Sequence, residues 1–216
     1  MHLVLLHALA RTGRSMRPLG RALEGAGHTV DVVPYPSRAR PLEGLAEHVL
    51  DRLERTGVRG AGDGLGFVGH SMGGVVYRSL RLVDPDFRCG RSVLLGSPAA
   101  GSLVAETLAR LPPVRWAYGL ALPELERRRV DALPEFPGPT GCIAGTHASP
   151  LVPASWVLRL VAPGEPSDST VLVREALHPA AADHATVHAS HTFLPSNAEV
   201  TELVLRFLAH GSFTAR

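Results

Sequence analysis

Short apolar runs alternate along the chain with longer segments whose apolar residues recur at helical spacing. The apolar runs are bounded by glycine and proline, which is typical of buried strands at the centre of a sheet. Strands that alternate with helices indicate an α/β protein, so we expect a mostly parallel central sheet of about six strands with helices on both faces. The predicted strands are residues 2–7, 28–33, 65–69, 92–96, 142–145 and 184–189.

The segments between the predicted strands carry the signals of helix ends. Ser15 is a candidate cap for the first helix, in which apolar residues follow at helical spacing. The last helix has the clearest pattern, because Ser196 and Glu199 match a capping box and Gly211 is a typical end. The predicted helices are residues 15–25, 41–57, 73–83 and 196–211.

Residues 103–135 are the least regular part of the chain, rich in proline and carrying Trp116, Tyr118 and Leu120. Insertions between sheet strands often cover an active site. A connection packed on the core is an equally good interpretation. We expect residues 1–216 to form one α/β domain, with a candidate cap or lid-like insertion around 103–135.

The charge and hydropathy of the chain argue against two classes of partner. The 22 basic and 20 acidic residues nearly cancel, every basic residue is arginine, and none of them form a stripe. Nucleic acid is therefore not an expected partner. No apolar run reaches the roughly 18–20 residues of a membrane span, so stable membrane insertion is not expected either. The sequence does not define the oligomeric state.

The first apolar segment, residues 3–9, superficially resembles a signal peptide because small residues follow it at Ala8 and Ala10. The segment is short and no arginine precedes it, so a buried strand and a cytoplasmic location are the preferred predictions. Cys89 and Cys142 lack the spacing of metal ligands, and we expect a reduced pair.

Ser71 is the candidate nucleophile. It stands in Gly-His-Ser-Met-Gly, residues 69–73, which fits G-x-S-x-G and lies between a predicted strand and a predicted helix. The pattern alone is weak, because a glycine-rich chain produces it by chance, and the strand-turn-helix context gives it meaning. Such a turn exposes the serine hydroxyl at the carboxyl edge of the sheet, and the following helix directs its positive end towards a developing oxyanion.

A serine hydroxyl needs a histidine base and a carboxylate that orients the histidine. Proteins with this turn carry the acid and then the histidine after the serine. His191 is the candidate base, because it follows the last predicted strand and precedes the terminal helix. His188 is the alternative, although a position in the strand favours a packed or solvated side chain.

Asp168 is the candidate acid. It lies in a turn rich in proline and serine, between the penultimate strand and the His191 segment. Asp183 is the alternative, but its position favours a role at the start of the last strand. We therefore predict that Asp168 orients His191.

A metal site is a rival interpretation of the same region. His184, His188 and His191 have the spacing of one helical face. The segment lacks the glutamate of H-E-x-x-H, and Thr186 and Val187 favour a strand. We therefore predict neither a metal nor another cofactor.

Five segments in chain order resemble small bacterial esterases and lipases of the α/β-hydrolase superfamily, over nearly the whole chain. They are His-Ala-Leu-Ala-Arg-Thr at 7–12, Gly-His-Ser-Met-Gly-Gly at 69–74, Leu-Gly-Ser-Pro through Gly-Ser at 95–102, Ser-Asp-Ser-Thr-Val at 167–171 and Ser-His-Thr-Phe at 190–193.

The resemblance implies an oxyanion hole formed by the backbone N–H groups of Leu9 and Met72. It also supports Asp168 and His191 in the roles given above. Two residues depart from the pattern of the family, since Ala8 and Ser169 each replace a glycine. A Cβ at Ala8 is expected to shift the Leu9 N–H, and loss of one such donor costs about 100- to 1000-fold in turnover.

The expected activity is hydrolysis of a small-molecule carboxylic acyl ester through an acyl-enzyme, without a cofactor. Thioester hydrolysis or acyl transfer by the same residues is a second hypothesis, decided by the nucleophile that the pocket admits in deacylation. A non-catalytic binding protein is a third, since fold alone does not determine function. Apolar residues around 116–122 are candidates for an acyl pocket.

Overall fold

A computed structural model of the protein describes residues 1–214. Six strands form one sheet in the order β2-β1-β3-β4-β5-β6, and every neighbouring pair is parallel. The predicted parallel α/β architecture is confirmed, with strand bounds close to those expected. The strands are β1 (His2–Leu6), β2 (Thr29–Val33), β3 (Leu65–His70), β4 (Ser92–Leu95), β5 (Thr140–Gly145) and β6 (Asp183–Val187).

Helices connect the strands and cover the sheet. In chain order they are α1 (Arg17–Gly25), α2 (Leu42–Arg55), α3 (Met72–Val83), α4 (Leu103–Leu108), α5 (Pro112–Tyr118), α6 (Arg127–Asp131), α7 (Pro153–Val161), α8 (Val173–Ala176) and α9 (Ala198–His210).

The two faces of the sheet carry separate hydrophobic cores. Successive side chains of a strand point to opposite faces, and in β1 Leu3 and Leu5 join one core while Val4 and Leu6 join the other. Helices α1 and α9 cover the first face, and α2 and α3 cover the second. The prediction of helices on both faces is therefore confirmed.

Residues 103–135 contain short helices, α4 to α6, and one turn of 3-10 helix at Pro123–Leu125. Ala121, Leu122 and Leu125 are buried in the core on the α2 and α3 side. Val104 of α4 packs in a smaller cluster with Leu158 of α7. The insertion is thus anchored by apolar contacts at several points, and part of it lines a cavity beside Ser71.

Two predicted helix caps are wrong. Ser15 lies in a turn of 3-10 helix, Gly13–Met16, where its hydroxyl donates to the Thr12 carbonyl. Asn197, rather than Ser196, caps α9, since its side chain accepts from the N–H of Val200. The difference of one residue arises because Ser196 ends a preceding 3-10 helix and its hydroxyl donates to the Phe193 carbonyl.

The carboxyl ends of parallel strands meet at one edge of the sheet, where open α/β sheets bind ligands. The segments that follow β1, β3 and β6 all begin at this edge. They contain Leu9, Ser71 and His191 respectively, so the topology directs all three to the same end of the molecule.

Both cysteines are buried and free: Cys89 lies in the loop between α3 and β4, and Cys142 lies in β5. Within residues 1–214, no helix combines the length and the apolar character that crossing a membrane requires.

Candidate active site

Ser71 occupies a sharp turn between β3 and α3. Its φ of 54° and ψ of −125° are rare for a residue with a side chain. The N–H of Ser71 donates to the Leu95 carbonyl at 2.9 Å, which fixes the turn against β4. Gly69 is needed for the same turn, because a Cβ there would lie 2.6 Å from the backbone of Gly74. The strain is therefore held in place by the surrounding backbone.

His191 and Asp168 form a buried hydrogen-bonded pair. The ring Nδ1 of His191 lies 2.7 Å from Oδ2 of Asp168, and the His191 N–H donates to the Asp168 carbonyl at 2.8 Å. The other carboxylate oxygen, Oδ1, accepts from the N–H groups of Thr170 and Val171 at 3.0 and 2.8 Å. Asp168 is only 1% exposed, so the three contacts to its carboxylate oxygens leave that group a single orientation.

A cavity of about 320 Å³ opens beside these residues. Ser71 and His191 both lie in its wall, and so does Leu9. No side-chain hydrogen bond joins Ser71 to His191 within residues 1–214. Catalytic hydrogen bonds are often long in the absence of substrate, so this arrangement is compatible with a nucleophile and its base.

The rest of the cavity wall is mainly apolar. Helix α4 contributes Leu108, α7 contributes Val157, and the insertion contributes Tyr118 and Leu122. Trp116 lies outside this wall and lines a neighbouring cavity instead. Only part of the predicted acyl-pocket segment therefore faces Ser71.

The alternative acid and base lie elsewhere. Asp183 begins β6, at the opposite end of the strand from the cavity, and its carboxylate accepts from the hydroxyl of Ser212 and the N–H of Phe213 at 2.7 Å each. His188 is exposed and its ring packs edge-on against His147, with centroids 5.0 Å apart. Neither side chain lines the cavity.

The histidines of the rival metal hypothesis are not brought together. His184 is exposed in β6 and its Nε2 contacts the His178 carbonyl, whereas His191 is bound to Asp168. Thr186 and Val187 lie in a strand, as their residue types favour. Within residues 1–214, no group of three His, Cys, Asp or Glu side chains is arranged to hold a metal ion.

The two residues predicted to form an oxyanion hole are Leu9, in the segment after β1, and Met72, which directly follows Ser71. Leu9 lines the cavity. Met72 is the first residue of α3, so its N–H has no acceptor within the helix.

The two departures from the family pattern have different consequences. In the segment after β1, the positive φ falls at Ala10 (57°) rather than at Ala8, so an alanine at position 8 imposes no backbone strain. Ser169 does adopt a positive φ of 91°. Its hydroxyl accepts from the Ser149 N–H at 2.8 Å and contacts the His147 carbonyl at 3.3 Å, contacts that a glycine could not make.

His70 is a further residue of the site, to which the sequence analysis assigned no role. Its Nε2 donates to the carbonyl of His191 at 2.9 Å, and the two rings lie 4.9 Å apart. Burial lowers the pKa of His70 well below its usual value, and the proximity of His191 lowers it further. The buried Nδ1 of His70 has no hydrogen-bond partner within residues 1–214.

Glu175 is a second residue that the sequence analysis missed. It is 1% exposed, and its carboxylate oxygens accept from the N–H groups of Leu103 and Leu172 at 2.7 and 3.0 Å. Burial raises the pKa of Glu175 above its usual value. The side chain thus links the start of the insertion to the segment that follows Asp168.

No protein-family model matches the chain. No curated protein matches its sequence either.

Several solved structures resemble the chain in three dimensions. A lipase from Bacillus licheniformis, BlEst2 in its mature form, is 16% identical with a TM-score of 0.77, over 95% of this chain and 91% of the lipase. A metagenomic carboxyl esterase, MGS0156, is 19% identical with a TM-score of 0.74, over 90% of this chain and 65% of the esterase. An extracellular α/β-hydrolase from a Paenibacillus species is 16% identical with a TM-score of 0.54, over 91% and 95% of the two chains.

The sheet and these likenesses together define an α/β-hydrolase fold. The resemblance predicted from the sequence is confirmed at the level of the fold, and the structural neighbours are lipases and esterases.

Proposed function

We propose that the protein is a serine hydrolase that cleaves carboxylic acyl esters through an acyl-enzyme. One observation carries the proposal: a strained turn presents Ser71 to the same cavity as His191, whose ring is fixed by a buried aspartate. Lipases and esterases among the structural neighbours support the same class of reaction.

The proposed mechanism assigns one task to each residue. The Asp168 carboxylate accepts from Nδ1–H of His191, which leaves Nε2 unprotonated and able to take the hydroxyl proton of Ser71. The Ser71 oxygen then attacks the ester carbonyl, and the resulting imidazolium protonates the leaving alcohol. Water, activated by His191, hydrolyses the acyl-serine and restores the free enzyme.

The oxyanion of each tetrahedral intermediate is assigned to the backbone N–H groups of Leu9 and Met72. Backbone donors held in place before reaction stabilise charge that develops in the transition state at no cost of reorganisation. Because Ala8 introduces no backbone strain, the Leu9 N–H needs no glycine beside it to be presented.

The apolar cavity is assigned to the acyl chain. Leu108 and Val157 contribute apolar surface on α4 and α7, where burial of each methylene group contributes about 0.8 kcal/mol. The cavity volume of about 320 Å³ is at the small end of ligand pockets, so a short to medium acyl chain is expected.

The test is covalent labelling with a fluorophosphonate probe, together with hydrolysis of p-nitrophenyl esters of graded acyl length. Wild type should label and hydrolyse, Ser71→Ala should do neither, and the matched control Ser15→Ala should behave as wild type, because Ser15 lies outside the cavity. Absence of labelling and of turnover in wild type would instead support a non-catalytic binding protein.

The same assay distinguishes the other acyl chemistries. Acyl transfer would appear as an ester product when a short alcohol is added, and thioesterase activity as a preference for thioesters of the same acyl chain. We expect hydrolysis of the oxygen ester to dominate.

A further inference from the structure

A second cavity, of about 690 Å³, adjoins the first. The side chain of Arg11 lies in the wall of both, so the two cavities meet at this residue. The second cavity is also lined by Arg38, which follows β2, and by Trp116 of the insertion. It is therefore the nearest space for the part of a substrate that the apolar cavity does not hold.

Arg38 is held in place by the insertion. One guanidinium nitrogen donates to the Ala117 carbonyl at 3.0 Å, and the Arg38 carbonyl accepts from the Leu120 N–H at 3.0 Å. Gly119 lies against the Arg38 backbone, with a φ of 76° and no room for a Cβ. These contacts order the arginine and leave most of its donors free, since a guanidinium has five N–H groups.

The loop that carries Arg38 is also joined to the candidate oxyanion segment. The Ser37 hydroxyl accepts from the Ala10 N–H at 3.1 Å. The Tyr35 hydroxyl donates to the His7 carbonyl, and the two rings are stacked 4.1 Å apart. The wall of the second cavity is therefore fixed relative to the segment that contains Leu9.

Arg11 is oriented towards the segment that carries His191. Its guanidinium donates to the Thr192 hydroxyl at 3.3 Å, a neutral acceptor. The charge of Arg11 also contributes, after burial and His191, to lowering the pKa of His70 beside Ser71. The positively charged Arg11 thus lines the same cavity as the candidate nucleophile.

Neither arginine has a carboxylate partner in the described part of the chain. Other arginines do, such as Arg52 with Asp31 at 3.0 Å and Arg59 with Asp84 at 2.8 Å. No aspartate or glutamate is among the residues of the described chain that line the two cavities. The second cavity therefore carries two guanidinium charges that are not neutralised by an acidic side chain.

We propose that the second cavity binds an anionic group, a carboxylate or a phosphate, carried by the alcohol portion of the ester, through Arg11 and Arg38. A planar guanidinium matches the oxygens of either group with paired hydrogen bonds. The acyl chain occupies the apolar cavity, and the ester carbonyl lies at Ser71 between the two. This inference rests on the proposed ester hydrolase and specifies its substrate class.

The experiment compares matched pairs of esters with one acyl chain. In each pair the alcohol is an ω-hydroxy carboxylate or the corresponding neutral amide, with a graded series of spacers. A third series carries an ω-hydroxyalkyl phosphate and distinguishes phosphate from carboxylate. We expect wild type to favour at least one anionic ester over its neutral partner by about tenfold or more in kcat/KM. The preference should fall as salt is added, because exposed charges are screened.

Arg11→Gln and Arg38→Gln test the residues directly. Each should lower the anionic-to-neutral ratio of kcat/KM, mainly through KM for the anionic ester. Arg55→Gln, an exposed arginine at the end of α2 and outside both cavities, is the matched control and should keep the wild-type ratio.

Two results would overturn the anion site. One is a ratio near one at every spacer in wild type, and the other is a ratio that neither variant changes. Hydrolysis of the neutral esters with no discrimination would leave the proposed function standing and remove this inference alone. Failure to hydrolyse any ester would remove the proposed function as well, and binding of a non-cleavable ω-acylamido carboxylate to Ser71→Ala would then decide the anion site separately.

Discussion

His70 donates a hydrogen bond from Nε2 to the carbonyl oxygen of His191, 2.9 Å away. The residue before the candidate nucleophile therefore holds the backbone of the candidate base, although 121 positions separate the two in the sequence. The His191 ring is fixed at Nδ1 by Asp168 and its main chain is fixed by His70. His70 is thus a candidate positioning residue.

Removing this contact is expected to misplace His191. His70→Ala should lower kcat by about 10- to 100-fold, because small displacements of a base are costly. KM should change much less, and the pH profile of kcat should shift because the environment of His191 changes. His70→Gln, which retains a donor, should recover part of kcat. A purely structural role for His70 would instead lower the melting temperature of both variants and leave the pH profile in place.

Asp168→Asn tests the orientation of His191. The amide oxygen can still accept from Thr170 and Val171, so the fold should persist. An amide at Oδ2 presents a donor to Nδ1 and favours the wrong tautomer, so kcat should fall about 10⁴-fold, the size of loss typical when the carboxylate of a Ser-His-Asp triad becomes an amide. Asp183→Asn is the control, since its carboxylate lies away from the cavity, and it should retain activity. Equal activity losses in the two variants would contradict the assignment of Asp168.

Glu175 is expected to make stability depend on pH. Burial raises its pKa in the folded protein above the usual value of 4.5. Between pH 4.5 and the raised pKa, the folded state keeps a proton on Glu175 that the unfolded chain has lost. The contribution of Glu175 to stability is therefore fully present below pH 4.5 and declines as the pH rises through the raised pKa.

Urea unfolding of wild type and Glu175→Gln, at pH values from below 4.5 to above the raised pKa of Glu175, measures this dependence of stability on pH. The amide leaves one of the N–H groups of Leu103 and Leu172 without an acceptor, which should cost about 1–3 kcal/mol at low pH. The difference in the free energy of unfolding should become smaller as the pH rises, because only wild type must bury a charge. A difference that is constant with pH would show that Glu175 keeps an ordinary pKa.

The apolar cavity predicts a preference for acyl length. Replacing Val157 or Leu108 by tryptophan fills space between α7 and α4 and should shift the best p-nitrophenyl ester to a shorter acyl chain. Leu160→Trp is the matched control on the exposed side of α7, where the wild-type side chain is 84% exposed. An unchanged acyl-length profile in both cavity variants would place the acyl chain elsewhere.

The parts of the fold that depend on local pattern were predictable from the sequence. Strand positions follow from short apolar runs, and Gly69 and Gly73 mark the turn at Ser71 because no Cβ fits there. Asp168 and His191 could be selected as candidates because parallel strands bring the loops that follow them to one edge of the sheet. The predicted cap of α9 was wrong by one residue because Ser196 and Asn197 are adjacent and both residue types are suitable caps.

The contacts that the sequence did not predict join distant segments. Glu175 and Leu103 are 72 positions apart, and nothing local marks Glu175 as buried rather than solvated. The second cavity depends on how residues 112–118 fold against the loop that carries Arg38. The irregular sequence pattern of the insertion did not predict the helix that these residues form. Such contacts follow from tertiary packing, which overrides local propensity.

Peptide mapping by mass spectrometry after reaction with a fluorophosphonate identifies the nucleophile itself. We expect one covalent adduct, on the peptide that contains Ser71, with a rate that falls sharply in Asp168→Asn and no adduct in Ser71→Ala. An adduct on another residue, or one that persists in Ser71→Ala, would contradict the assignment of Ser71 as the nucleophile.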